Sequence, residues 1–119
     1  MRLIVGVDGS ERAIATLETV TDRARETGDE VTVAAYTTDG SLADVEATVR
    51  DRLDSLEFDA FVTALEGEPG GQLVDIAETD GYDRIVLPGG HTSPLGKIQL
   101  DAVIEFVLLN AHTTVTLIR

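Results

Sequence analysis

Hydrophobic residues along this chain fall into five short β-prone runs, and the stretches between them have helical spacing. The runs cover residues 3–7, 31–36, 60–65, 84–87 and 115–118. The first and the fourth are almost continuously apolar, as in parallel strands that are covered on both faces. The pattern therefore predicts five strands, two of which are buried under other elements on both sides.

Local signals place three helices between the first four strands. Ser10 can cap the first helix, and Gly28 suits the position just after its end. Ser41 and Asp44 form a weak capping box at the start of the second helix. The third helix is shorter and ends near Gly81.

A fourth helix is predicted from about residue 97 to residue 111. Its sequence is apolar around most of the helix circumference, so we expect it to be buried on more than one side. On this helix Lys97 stands four residues before Asp101, at the spacing of an ion pair.

The order of these elements predicts one α/β domain over residues 1–119. Strands and helices alternate with short loops, which is the pattern of a doubly wound parallel sheet with helices on both faces. The crossovers are expected to be right-handed. A length of 119 residues suits a single domain with one core, and no linker or low-complexity segment divides the chain.

The charge excludes several classes of partner. The chain has 22 acidic and 9 basic residues, a net charge of −13, and 43% hydrophobic residues, which is ordinary for a folded domain. Lys97 is the single lysine and the arginines are scattered, so nucleic acids and acidic membranes are not expected partners. Without cysteine there is neither a disulfide nor a thiolate metal site, and the isolated His91 and His112 predict no metal site either.

The acidic composition also suggests an environment. Acidic side chains stand at most exposed-looking positions, which suits the cytoplasm of a halophile, where the Debye length is about 3 Å at molar salt. A merely acidic mesophilic protein is the alternative. The sequence shows no secretory signal and no apolar run of about 20 residues, so we expect a cytoplasmic protein without a membrane partner.

Short motifs stand in a characteristic order along the chain: VDGS at 7–10, GEP at 67–69, DRIVL at 83–87 and VTLIR at 115–119. In this order and spacing they resemble the universal stress protein family over nearly the whole chain, as a short, haloarchaeal-type member. The resemblance implies the strand order 3-2-1-4-5, a homodimer paired through the last strand, and often ATP between the first and fourth strands. The chain is shorter than the family between strands two and three.

With this strand order, a ligand is expected beyond the carboxyl ends of strands one and four, where the order reverses. A carboxylate there can accept hydrogen bonds from a ribose or an adenine amine, and a glycine-rich loop can offer N–H groups to phosphate. The candidate nucleotide-binding residues are Asp8, Thr37, Gly89, Gly90, Thr92, Ser93, Asp101 and Ala102. Thr38 can flank a base together with Thr37. Residues 8–10 serve equally well as a turn and a helix cap.

The sequence departs from the family's ATP-binding pattern, which is Gly, two residues, Gly, nine residues, then Gly followed by Ser or Thr. Aligned from the last helix, Pro88 and His91 stand at the two loop glycines, and residues 101–102 stand at the closing Gly-Ser pair. Shifting the loop by one residue recovers Gly89 but puts Thr92 at the second glycine. Pro88 has no N–H to donate, and the carboxylate of Asp101 would repel phosphate.

The expected function is therefore a universal stress-type regulatory or protein-interaction module with a degenerate nucleotide crevice and no cofactor. The alternative is a stress-response protein that binds ATP or AMP in the same crevice. Catalysis is not expected, because phosphoryl transfer needs positioned cations and the loop offers only Lys97 and His91. A homodimer is expected because the last strand is uncharged, β-prone and placed at a sheet edge.

Overall fold

The computed structural model describes residues 1–89 and 101–118, and the backbone of residues 91–92 and 98–99. Within these residues the chain forms, in order, β1 (Arg2–Val7), α1 (Glu11–Thr27), β2 (Glu30–Ala35), α2 (Leu42–Ser55), β3 (Phe61–Ala64), α3 (Pro69–Thr79), β4 (Arg84–Pro88), β5 (His91–Thr92), β6 (Ile98–Gln99), α4 (Ala102–Asn110) and β7 (Thr114–Ile118).

Five of the strands form one parallel sheet in the order β3-β2-β1-β4-β7. This is the predicted 3-2-1-4-5 order, because β7 is the fifth strand of this sheet along the chain. Each predicted strand agrees with the observed one to within one residue at either end. β5 and β6, which were not predicted, pair with each other in a separate antiparallel ribbon.

Helices cover both faces of the sheet, as predicted. Alternate residues of β1 point to opposite sides, so Val5 packs under α1 and α2 while Ile4 packs under α3 and α4. Both side chains are fully buried. Because β1 and β4 lie in the middle of the sheet, they contribute to both cores, which explains their nearly continuous apolar sequences.

The predicted helix caps are confirmed. The Ser10 hydroxyl accepts a hydrogen bond from Ala13 N, and Gly28 ends α1 with a φ of 78°, in the left-handed region that favours glycine. The Ser41 hydroxyl caps α2 by accepting from Asp44 N at 3.3 Å.

The prediction for the last helix is wrong at its start and in its burial. The helix begins at Ala102 because Asp101, in an extended conformation, caps it, and residues 98–99 belong to a strand. The i,i+4 pairing of Lys97 with Asp101 along one helix therefore fails, and Lys97 itself lies outside the described residues. Within the single chain, one face of α4 is buried, while Phe106, Leu108 and Leu109 are exposed by 39%, 41% and 84%.

No helix in the described part of the chain combines the length and hydrophobicity that a membrane crossing requires.

Candidate functional site

The carboxyl ends of β1 and β4 meet where the strand order of the sheet reverses. From β1 the chain crosses over to β2, and from β4 it goes the other way to β7, so the loops after β1 and β4 diverge and leave a crevice. Backbone hydrogen bonds hold this edge: Tyr36 N donates to Val7 O at 3.0 Å, and Gly89 N donates to Ile118 O at 2.7 Å. The fold therefore has a switch point where the sequence predicted one.

Asp8 lies at this edge, directly after β1. One of its carboxylate oxygens accepts a hydrogen bond from Ser10 N at 3.0 Å, which closes a tight turn ahead of α1. Between them Gly9 has a φ of 83°, and a side chain there would also press on Val45 at 3.3 Å. Residues 8–10 thus act as a turn and a helix cap, and they keep the Asp8 carboxylate next to the crevice.

Asp101 caps α4 at the same end of the sheet. Its Oδ1 accepts a hydrogen bond from Ile104 N at 2.8 Å, and its side chain is exposed. The first N–H groups of a helix have no partner within the helix and carry partial positive charge, so this position attracts anions. In this protein the anion at the start of α4 is the chain's own carboxylate.

The buried Tyr36 hydroxyl is influenced by the charges of both carboxylates. The Tyr36 ring is only 2% exposed and packs over Gly6, where an added Cβ would lie 3.4 Å from the ring. Burial raises the pKa of the Tyr36 hydroxyl above its usual value, and the negative charges of Asp8 and Asp101 raise it further. Asp8 and Asp101 therefore both place negative charge at the crevice, close enough to affect the same hydroxyl group.

Sequence reasoning did not include Tyr36 or Gly6 in the site. Tyr36 ends the predicted second strand, and that position is the available signal, because the carboxyl ends of neighbouring parallel strands share one edge. Gly6 was read as part of an apolar strand. A Cβ there would lie 2.7 Å from Leu87 Cδ2 and 3.4 Å from the Tyr36 ring, so a larger residue would force buried side chains to shift.

The structure brings together part of the predicted set. Asp8, Gly89, Asp101 and Ala102 lie at the carboxyl edge of the sheet or at the start of α4. The Thr37 hydroxyl also follows a strand at this edge, but it accepts a hydrogen bond from Gly40 N at 2.9 Å and so stabilises its own loop.

The other predicted residues lie partly or wholly outside the description. Thr92 is described as backbone in β5, while Gly90 and Ser93 lie outside the described residues. Of the histidines, His91 is described as backbone, and His112 N donates to Glu78 Oε1 at 2.6 Å. No group of three carboxylate or imidazole side chains that could hold a metal ion was found among the described residues.

A family model of the universal stress protein family matches residues 1–119, the whole sequence. The chain belongs to the universal stress protein family. A comparison with curated protein sequences found no match.

Solved universal stress proteins share this fold at low sequence identity. One from Archaeoglobus fulgidus has a TM-score of 0.80 at 24% identity, covering 100% of this chain and 98% of that chain. The Archaeoglobus fulgidus protein in complex with dAMP has a TM-score of 0.73 at 23% identity, with 100% and 98% coverage. A universal stress protein in complex with cAMP has a TM-score of 0.76 at 19% identity, covering 100% of this chain and 96% of that chain.

Proposed function

We propose that this protein is a universal stress-type regulatory or protein-interaction module whose nucleotide crevice has lost its affinity for polyphosphate. One observation carries the proposal: the Asp101 carboxylate accepts the hydrogen bond from Ile104 N at the start of α4, where a phosphate group would otherwise accept hydrogen bonds from free N–H groups. Residues 101–102 are also the positions at which the family's nucleotide pattern has a small Gly-Ser pair.

The energetic argument is a repulsion between like charges. Two unit charges about 4 Å apart repel by about 4 kcal/mol at an effective dielectric constant of about 20, and by about 1 kcal/mol in water. Asp101 is exposed, so the lower figure is the better guide. Asp8 adds a second negative charge, and a triphosphate carries several, so the unfavourable contributions accumulate.

The alternative is that the same crevice binds a nucleotide, either ATP or AMP. It is supported by the two related structures in complex with dAMP and cAMP. A monophosphate meets less repulsion than a triphosphate at the same position, and Asp8 can still accept hydrogen bonds from a ribose or an amine. AMP and cAMP are therefore the ligands to compare with ATP.

Calorimetric titration of the wild-type protein tests both ideas. We expect no saturable binding of ATP below about 1 mM, measured in molar KCl with Mg²⁺. Submillimolar binding of AMP or cAMP without binding of ATP would favour the alternative. Submillimolar binding of ATP would contradict the proposal.

We also propose that the protein binds its partners without catalysing phosphoryl transfer. Such transfer requires cations that neutralise the charge developing on the phosphoryl group, whereas Asp8 and Asp101 add negative charge at the crevice. We expect no phosphate release from ATP above that of a protein-free control. Release at a rate proportional to protein concentration, persisting after gel filtration, would contradict this.

A homodimer through β7 completes the proposal. β7 is an edge strand with the uncharged sequence TVTLI, and its last four residues are half-buried in the single chain. α4 leads into it and exposes the apolar Leu108 and Leu109 nearby. A second copy related by a two-fold axis would pair with the free backbone groups of β7 and cover these side chains.

Sedimentation measurements test the dimer. The wild-type protein should sediment as a dimer at low and at molar salt. Thr116→Lys should shift it to monomer because a charged side chain on an edge strand opposes pairing, while Thr116→Ser should remain dimeric. A wild-type monomer under both conditions would contradict the proposal.

A further inference from the structure

A cavity of about 780 Å³ lies beside the first residues of β1, β2 and β3, at the opposite end of the sheet from the crevice. It is a groove between the open end of the sheet and the C-terminal half of α3. The side chains that form its floor and walls include Arg2, Thr32, Phe61, Thr63, Ile76 and Tyr82. This volume is within the range of cavities that bind ligands or peptide side chains.

The floor of this groove is preformed. The Tyr82 hydroxyl donates to Thr32 Oγ1 at 2.9 Å, which holds the ring against the sheet. The Arg2 guanidinium lies 4.4 Å from the centre of that ring and donates to Asp80 O at 2.5 Å. These contacts join β1, β2 and the end of α3, so a ligand would not have to order this surface on binding.

One wall of the groove is the free edge of the sheet. β3 is an edge strand that pairs with β2 alone, with Phe61 opposite Thr32 in the register. Phe61 is 83% exposed, although a phenyl ring gains considerably from burial. The outer backbone N–H and C=O groups of an edge strand can pair with an added strand.

The rim of the groove is acidic and only partly neutralised. Glu30 Oε2 lies 3.5 Å from Arg2 Nε, and Asp29 pairs with the N-terminal ammonium at 3.0 Å. Asp59 and Asp80 form no ion pair with any other residue that the structure describes. The groove is therefore lined by two carboxylates that form no ion pair among the described residues, together with an exposed aromatic ring.

The two edge strands of the sheet, β3 and β7, differ in charge and therefore favour different partners. β7 is free of charge, which permits pairing with another copy. β3 follows Glu57 and Asp59 and precedes Glu66 and Glu68, so another copy of this acidic chain would be repelled there. The same charges attract a basic segment.

We infer that the β3 edge and its groove bind an extended, arginine-containing segment of a partner protein, which adds a strand beside Phe61–Ala64. Its backbone pairs with β3, an apolar side chain covers Phe61, and guanidinium groups approach Asp59 and Asp80. This inference rests on the interaction role proposed above and names the chemistry of the partner. The crevice takes no part in it, so nucleotide titration and peptide titration can fail independently.

The test uses a short synthetic peptide that alternates arginine and valine, titrated into the isotope-labelled protein at about 0.1 M salt. We expect saturable binding below about 1 mM, with the largest amide shifts in residues 61–64. The same peptide with glutamate in place of arginine should not bind. Absence of saturable binding, or shifts centred outside β3 and the groove, would overturn the inference.

Two double variants separate a specific site from general attraction to an acidic protein. Asp59→Asn with Asp80→Asn should weaken peptide binding about tenfold. Glu26→Gln with Asp51→Asn removes the same charge from α1 and α2, on the other face of the sheet, and should weaken binding less than about twofold. Equal losses in both would overturn the inference.

Phe61→Ala provides an independent readout. Because this ring is exposed, its removal should leave the free energy of unfolding within about 0.5 kcal/mol of the wild type. Peptide affinity should fall about fivefold through the loss of the apolar contact. An affinity unchanged in the folded Phe61→Ala protein would contradict the proposed position of the peptide.

Discussion

Replacing Asp101 separates its structural role from its electrostatic one. Asp101→Ala removes the hydrogen bond to Ile104 N, 2.8 Å long, and leaves the first turn of α4 uncapped. Loss of such a cap costs about 1 kcal/mol, which lowers the melting temperature of a domain of this size by about 4 °C. Asp101→Ser keeps a capping oxygen, so its melting temperature should stay within about 2 °C of the wild type.

Both variants remove the same charge, so each should bind ATP more tightly than the wild type. Two like charges about 4 Å apart in water repel by about 1 kcal/mol, which corresponds to about a fivefold loss of affinity. With several phosphate charges, we expect ATP affinity to rise about tenfold at 0.15 M salt and by a smaller factor at molar salt. Thermal unfolding measures the cap, and calorimetric titration measures the repulsion.

Asp51→Asn is the matched control, since it removes one exposed carboxylate from α2 without touching a cap. It should change neither ATP affinity nor melting temperature noticeably. The reasoning is refuted if Asp101→Ser binds ATP no better than the wild type while remaining folded. It is also refuted if Asp51→Asn raises the affinity as much, because net charge alone would then explain the effect.

Three further changes test packing, backbone conformation and titration at other positions. Gly6→Ala should lower the free energy of unfolding by about 1–3 kcal/mol in urea unfolding, because the new Cβ would lie 2.7 Å from Leu87 Cδ2 in a fully buried core. Gly28→Ala should cost about 1 kcal/mol, because its φ of 78° is unfavourable for alanine. An unfolded tyrosine loses its proton near a pH of about 10, whereas the raised pKa of Tyr36 keeps it protonated in the folded protein. The free energy of unfolding is therefore unaffected by Tyr36 below that pH and decreases as the pH rises above it. Tyr36→Phe should reduce this alkaline loss.

Each of these expectations has a clear contrary result. A Gly6→Ala protein as stable as the wild type would mean that the Leu87 side chain can shift without cost. An unchanged Gly28→Ala protein would mean that the end of α1 adopts another conformation in solution. An equal alkaline loss of stability in Tyr36→Phe would mean that other groups are responsible for it.

The strands and the first two helices could be predicted from the sequence because their signals are local. A continuous apolar run marks a strand that is covered on both faces. Ser10 and Ser41 supply the oxygens that cap α1 and α2, and Gly28 adopts the left-handed conformation that ends α1. The order of the five sheet strands came from the resemblance to a family, and the structure confirms it. These features depend on neighbours in the chain or on a recurring topology.

The start of the last helix could not be predicted in this way. The apolar residues 98 and 100 adjoin the apolar run of the helix, but their two-residue spacing is that of a strand, and residues 98–99 pair with residues 91–92 as a ribbon. This pairing joins segments that are separate in the chain, and it leaves Asp101 as the first capping residue. The hydrophobic pattern of residues 97–111 alone does not show whether their first residues join the helix or pair with another strand.

By itself the sequence determined an acidic α/β domain, its strands and most of its helix ends, because hydrophobic periodicity and capping act over a few residues. The tertiary structure alone decided that Asp8 and Asp101 act together on Tyr36, and that Phe61 borders an acidic groove. These side chains come from distant parts of the chain. Their chemistry depends on distances through space, which are set only when the sheet and the helices pack together.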